Sequence, residues 1–559
     1  MKSLYLILSI FLFSGFSLKA EERVYERVYA HTDKDCYIAG EDILVKFYLI
    51  NNNFQPSDLS KVGYVEICDT EKPQMQFKIA LEKGHGAGKV KIPTNISSGV
   101  YILSAYTRYM RNEGENVLFK KQIAIVNAGQ QTPEPKRFEL VEKYENIQKE
   151  EKNPANLLVK TDRNEYENRK EVILQLDNIP DNTADLVISV SRNDSIAFVP
   201  EINNQEWLKQ VRDTFRFSQQ WIPEYEGHII TGIVVPEIKE QQYLLTNISF
   251  VGKDIRYFMG KLNLQNGIAN FYTAGIYGKQ QITTSVVSMI YDAVPYRFDL
   301  LSPFYGSLPE NLPLLQIYPN EKRLLERYIG AQVNAKTDND SISNFIQHSD
   351  YSTIRPAKTY NLDEYTRFET IGETITEFIT KLRVARVRGN RVINVFFEET
   401  KQFSSRTLVL LDGIPVYNHE DILKYNPMYI KTVDIYDGRY MFSNENYECI
   451  VSFITREGDL PFFQLGKESQ LLDYECPQLP LPLEIPDYSS NDMRNSRKPD
   501  FRHTLYWNPL VEFTKGQPVN LSFYTSDLCG DFKVKVEGIT TDGKIIQGSS
   551  YFQVNSSQK

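Results

Sequence analysis

Three glycines and Lys89 fall within Leu81–Pro93, LEKGHGAGKVKIP. A glycine-rich turn ending in lysine is the pattern that wraps a phosphate in backbone N–H groups. The spacing fails that chemistry twice: Gly84 to Gly88 is one residue short, and Lys89 is followed by Val90 where a magnesium-binding Ser or Thr is needed. A dinucleotide fingerprint fails too, because strand-like KVKIP follows Gly88 instead of a helix. The run reads as a connection between strands, its glycines supplying positive φ.

Other reactive patterns are absent or incomplete. The histidines, His31, His85, His228, His348, His419 and His503, are scattered, with no two on one helical face. The stretch from Asp338, DNDSISN, begins like a calcium loop, but position six is Ser343 and position twelve Ser349, where Gly and Glu are required. No G-x-S-x-G elbow and no H-E-x-x-H occurs. Glu373 and Glu377 sit one helical turn apart and could suggest acid–base work, yet Glu377 lies four residues before Lys381, the pattern of a solvated helix face. These readings point to a protein that is not an enzyme and uses no cofactor or metal.

Behind these positions stands a 559-residue chain, enough for about three or four domains. Its net charge of −9 argues against a nucleic-acid surface, which needs excess Lys and Arg to displace counterions. The opening MKSLYLILSIFLFSGFSLKA carries Lys2, an apolar run from Leu4 to Phe13 and a small Ala20, which reads as a secretory signal cut after Ala20. No later stretch approaches the about 20 apolar residues of a membrane helix. The expected location is therefore outside the cytoplasm. Five cysteines then raise the question of bridges, Cys36 with Cys68 and Cys476 with Cys529 being the candidate pairs and Cys449 the odd one; buried or half-buried thiols are the alternative.

Strand signals dominate. In EDILVKFYLI, Ile43, Val45, Phe47 and Leu49 alternate with Leu44, Lys46 and Tyr48, a strand with one buried face. KVGYVEIC, QFKIAL, GKVKIP, GVYILSAYT and FKKQIAIVN follow at the short spacing of a β-sandwich. After a charged linker, LLVKTDRNEYENRKEVILQLDNIP opens a second β-rich region that runs to about residue 300 around a Trp-containing insertion. Helices are expected at NEKRLLERYIGAQV, with Leu324, Leu325, Tyr328 and Ile329 on the apolar side, and at TIGETITEFITKL, where Thr370 and Glu373 form a capping box ahead of Ile371, Ile375, Phe378, Ile379 and Leu382.

Two segments carry resemblances. HTDKDCYIAGEDILVKFYLI, with SSGVYILSAYTRYMRN, resembles the second macroglobulin-type domain of the alpha-2-macroglobulin superfamily, and bacterial envelope proteins that begin with that domain. In that family the run GHGAGKVKIP corresponds to a turn leading into the next strand. Thioester macroglobulins carry Cys-Gly-Glu-Gln, and no cysteine here is followed by it. Arg406–Gly458 reads strand, Asp412-Gly413 turn, short helix, strand, strand, and is similar to the plug domain of TonB-dependent outer-membrane receptors. The departure is that about a hundred residues follow, opened by Pro-rich CPQLPLPLEIP, too few for a receptor's barrel.

The expected fold is mainly β: immunoglobulin- or macroglobulin-like β-sandwiches plus a small α/β plug-like domain. Its divisions are a signal over 1–20, a first sandwich over 21–128, a linker over 129–154, a second sandwich over 155–300, a helical connector over 301–365, the plug-like domain over 366–460, and a Pro-rich segment with terminal strands over 461–559. The resemblances imply an exported protein of the periplasm or outer membrane, acting as an interaction or assembly component. Its partner would be an envelope or outer-membrane protein, with Asp412, Gly413, Pro415, Tyr436 and Gly438 as candidate partner-binding positions. The alternatives are a macroglobulin-type protease inhibitor without the thioester, and a glycan-binding protein using tyrosines or Trp207 and Trp221 to stack on sugars.

Overall fold

A computed structural model describes residues 24–127, 129, 137–141, 157–193, 196–199, 217–238, 244–288, 296–318, 320–337, 354–387, 389–442, 445–479, 485–542 and 544–556. The signal over 1–20, most of the linker, Trp207 and the calcium-like loop lie outside these residues.

The alternating strands of the N-terminal region pair as expected. Glu26–Thr32, Asp42–Asn51 and His85–Lys91 form a three-stranded sheet, opposed by five strands in the order Cys36–Ile38, Phe119–Val126, Gly99–Thr107, Val62–Cys68 and Pro73–Ala80. Ile43, Val45 and Phe47 meet Tyr64, Phe77, Leu103 and Ile123 in the core between them. The glycine run is itself a strand. Gly84, at φ +80, makes the turn before it, whereas Gly86 is required by closeness: a Cβ there would lie 2.5 Å from the Ala80 carbonyl oxygen.

The second sandwich does not occupy 155–300. Leu158–Thr161 pairs with Glu171–Asp177, which pairs in turn with Val519–Tyr524, and Thr183–Arg192 lies between Gly530–Thr540 and Thr504–Asn508. Strand order repeats that of the first sandwich, three against five, down to one short parallel strand in each: Cys36–Ile38 beside Phe119–Val126, and Glu165–Glu167 beside Ile545–Asn555. The duplication reaches single atoms. Tyr37 Oη donates to Asp33 at 2.8 Å and accepts from Lys34 N, while Tyr166 Oη donates to Asp162 at 2.6 Å and accepts from Arg163 N. Thr32 and Thr161 each donate to the carbonyl two residues on, at 2.7 Å.

Everything between Arg192 and Thr504 is therefore inserted into this second sandwich. The insertion holds a seven-stranded antiparallel sheet, in the order Arg297–Leu300, Ile229–Val235, Ile268–Tyr272, Tyr257–Asn263, Leu244–Phe250, Lys279–Ser288, Ser469–Glu475. It curls so that Thr284 Oγ1 donates to the Phe298 carbonyl, enclosing Ile248, Phe250, Phe271 and Phe298. Between its last two strands in sequence sits a further insertion, an α/β module. Lys358–Asn361, Ile430–Phe442, Glu445–Thr455, Thr407–Leu411 and Ile414–Pro415 form its mixed sheet, with Thr407–Leu411 parallel to Glu445–Thr455. Helices Ile371–Phe378 and His419–Leu423 and a three-stranded sheet complete it. Because Lys358–Asn361 pairs into this sheet, the module begins before residue 366.

The capping box at Thr370 and Glu373 forms, and Ile371, Ile375 and Ile379 are buried. Leu382 reaches the same core from the next strand, because the helix stops at Phe378. Helix Glu321–Thr337 departs from expectation: Leu325 and Ile329 are 60% and 45% exposed, and the buried side is led by Arg327, whose guanidinium pairs with Glu41 at 2.9 and 3.0 Å. All five cysteines are thiols, so neither candidate bridge exists. Among the described residues no helix is long and apolar enough to cross a membrane.

Candidate functional site

Asp412 and Gly413 have φ +45 and +78, the left-handed pair of a tight hairpin turn joining Thr407–Leu411 to Ile414–Pro415. The Asp412 carboxylate is buried and accepts from Thr455 N at 2.7 Å, Thr455 Oγ1 at 2.6 Å and Leu460 N at 2.9 Å. Burial raises its pKa against the lowering effect of those donors. The turn presses on the seven-stranded unit: Gly252 N donates to the Asp412 carbonyl at 3.0 Å, and a Cβ on Gly413 would lie 2.9 Å from the carbonyl oxygens of Phe250 and Asp254. Pro415 is buried beside it. Tyr436 packs with Tyr257, Leu408, Leu410 and Ile450. Gly438 lies at the irregularity between Asp437 and Tyr440 in strand Ile430–Phe442. The structure thus brings Asp412, Gly413, Pro415 and Tyr436 together at an internal joint, with Gly438 at its margin.

A second polar cluster was not visible in sequence. The outer face of the first sandwich's three-stranded sheet is covered by the second sandwich, so His31, Lys46 and Tyr48 are buried instead of solvent-facing. His31 Nδ1 donates to the Glu537 carboxylate, and Lys46 Nζ lies 3.2 Å and His85 Nδ1 2.5 Å from Asp185. Burial drives the His31 and Lys46 pKa values down, against the pull of their carboxylates. Burial works upward on Glu537, yet Lys535 and His31 hold it well below the ordinary carboxylate range. Ser189 Oγ stands 3.5 Å from His31 Nε2, which gives the residue types of a Ser–His–Glu hydrolase triad. All three are buried and Trp507 stacks on the imidazole at 5.5 Å, leaving no access for an acyl substrate. The arrangement is a seam between domains.

A third cluster joins the first sandwich to the seven-stranded unit. Tyr64 Oη donates to Glu224 at 2.9 Å, Glu224 faces His228 Nδ1 at 3.0 Å, and Tyr474 Oη donates to His228 Nε2 at 2.6 Å. Lys78 Nζ lies 4.4 Å above the Tyr474 ring. Burial lowers Lys78 to about 8 and His228 to about 4. Trp221, expected as a sugar platform, has the Arg111 guanidinium 3.9 Å from its ring centre and exchanges hydrogen bonds with Asn112. Among the described residues no group of three His, Cys, Asp or Glu side chains could hold a metal ion.

No protein-family model matches the chain. No curated protein matches its sequence. Among solved structures, native Escherichia coli alpha-2-macroglobulin is similar at 8% identity and a TM-score of 0.24, over 95% of this chain and 40% of that one. The elastase-activated form of the E. coli protein gives 9% and 0.24, over 95% and 44%. The Yersinia pseudotuberculosis adhesin InvE gives 12% and 0.14, over 47% and 55%. This chain spans less than half the length of the macroglobulins it is similar to.

Proposed function

We propose that this chain is an exported, non-enzymatic envelope protein that serves as an interaction or assembly scaffold, presenting its plug-like α/β module to an outer-membrane partner. One observation carries the reading: the module is the innermost of two nested insertions, fixed at its base to the seven-stranded unit by the Asp412–Gly413 turn, above two sandwiches joined by buried ion pairs and apolar contacts. Such mounting fixes the orientation of a displayed domain. The turn residues act in this reading by setting the module's angle, and the partner meets its outward face.

The test is affinity capture of the tagged full chain from chemically cross-linked envelopes. A barrel or assembly protein cross-linked through module residues, identified by mass spectrometry of the linked peptides, supports the scaffold. Cross-links confined to the sandwiches, or none, overturn it. The duplicated sandwiches also favour a macroglobulin-type inhibitor. That reading requires a mass-shifted complex after challenge with a protease; an unshifted chain removes it.

A further inference from the structure

The module's three-stranded sheet, Leu382–Val387, Asn390–Phe397 and Gln402–Ser404, stands apart from the rest of the chain in charge. Between Lys381 and Arg406 seven Lys or Arg residues accompany two Glu, in a chain whose net charge is −9. Some of these cations are already matched: Lys381 and Lys401 pair with Glu398, and Arg391 makes a bidentate contact with Glu420 at 2.8 and 2.7 Å. Arg383, Arg386 and Arg406 are exposed and meet no carboxylate among the described residues. Arg386 lies directly opposite Arg391 in the strand register, a like-charge pair that disfavours the hairpin.

Among the described residues, strand Leu382–Val387 pairs with Asn390–Phe397 on one side only. Its register is regular over all six residues, with no bulge to twist the edge away, and Val387 is 46% exposed. On the outer face Arg383 lies 5.5 Å from the Phe403 ring centre, and Phe396 packs edge-on against Phe403. An unpaired, regular edge offers main-chain hydrogen bonds to an incoming strand, and flanking arginines select what that strand carries.

We propose that the edge Leu382–Val387 is a docking site for an extended acidic polypeptide segment, which adds as a fourth strand while Arg383 and Arg386 pair with its carboxylates. The site deepens, and rests on, the scaffold reading, naming the partner chemistry at the module's outward face. The opposing view is that the arginines only blunt an edge against aggregation.

Arg383 and Arg386 stand on opposite faces of the strand, three residues apart, so the experiment uses the full chain and a labelled twelve-residue peptide with glutamate at every third position among valines, which presents carboxylates on both faces, read by fluorescence anisotropy. A second peptide is N-methylated at alternate amides, which preserves charge and removes strand pairing. Expected are saturable binding, a loss of tenfold or more for Arg383→Glu/Arg386→Glu, a similar loss for the methylated peptide, and slowed amide exchange over Leu382–Val387. The milder Arg383→Gln/Arg386→Gln pair serves if the reversal unfolds the hairpin. Binding that survives methylation reports polyanion attraction and overturns the site, as does no binding, which leaves the arginines as edge protection. Partner cross-linking that persists in the Arg→Glu variant while peptide binding is lost would separate this surface from the scaffold reading, which would then stand without it.

Discussion

Replacing Gly413 by alanine tests whether the α/β module is fixed to the seven-stranded unit by its turn. Two costs apply. A side chain at φ +78 costs about 1 kcal/mol relative to glycine. The new Cβ would also sit 2.9 Å from two carbonyl oxygens, those of Phe250 and Asp254, and backbone cannot swing aside as a side chain does. Overpacking of this kind costs about 1–3 kcal/mol, and retreat of the loop stretches the Gly252 N to Asp412 O bond, worth about 1 kcal/mol. Gly389→Ala supplies the control: φ is +89, but nothing lies within 4 Å of the new methyl, so only the first cost applies. Hydrogen exchange read by mass spectrometry on peptides spanning Phe250–Arg256 should accelerate roughly 10- to 100-fold more in Gly413→Ala than in Gly389→Ala. Equal exchange in the two variants would refute the argument that this joint is held by backbone contact.

Breaking the seam from one side should be costly and removing both partners should not. Lys46→Met leaves Asp185 buried with His85 as its remaining partner and should destabilise by about 3 kcal/mol, while Lys46→Met/Asp185→Leu should recover most of that in denaturant unfolding. For His228 the folded pKa of about 4 lies below the ordinary value, so the unfolded chain binds more protons between pH 6.5 and 4 and stability falls as pH drops through that window. The melting temperature of His228→Gln should therefore decline less steeply than that of the parent. Lys78, at about 8, acts with the same sign at higher pH: Lys78→Met should raise the melting temperature more at pH 7 than at pH 10. Maleimide labelling counted by intact mass should modify at most Cys36 and Cys529 in the native chain and all five thiols after unfolding, since burial encloses Cys68, Cys449 and Cys476 and lifts each thiol to about 12.

Local signals in the sequence were sound where the deciding contacts are local. Ile43, Val45 and Phe47 alternate because their strand has one face in the first core, and the Thr370–Glu373 pair marks a helix start that needs no distant partner. What failed depends on residues far away in the chain. Lys46 and Tyr48 looked solvent-facing because the sheet covering them is built partly from Gly530–Thr540. Arg327 looked like the polar side of a helix, yet Glu41 draws it inward and leaves Leu325 and Ile329 outside. Strands of the second region were read correctly and grouped wrongly, since alternation says nothing of which strands pair. One long-range signal was legible and missed. Thr32-Asp33-Lys34 with Tyr37 and Thr161-Asp162-Arg163 with Tyr166 share a pattern, and that repeat announces the duplicated sandwich. The turn at Asp412 and Gly413, two of the candidate partner-binding positions, was legible as a turn signature, but its inward orientation depends on the loop Phe250–Arg256, which no local pattern links to it.

The nesting of domains sets an order of closure for the folding chain. Thr183–Arg192 must wait for neighbours, Thr504–Asn508 and Gly530–Thr540, that lie about 300 residues further along the chain. The first sandwich and the α/β module are continuous in sequence and can close early, the seven-stranded sheet waits for Ser469–Glu475, and the second sandwich closes last. Slow closure of this order exposes a hydrophobic strand holding Leu186, Ile188 and Val190 to off-pathway pairing.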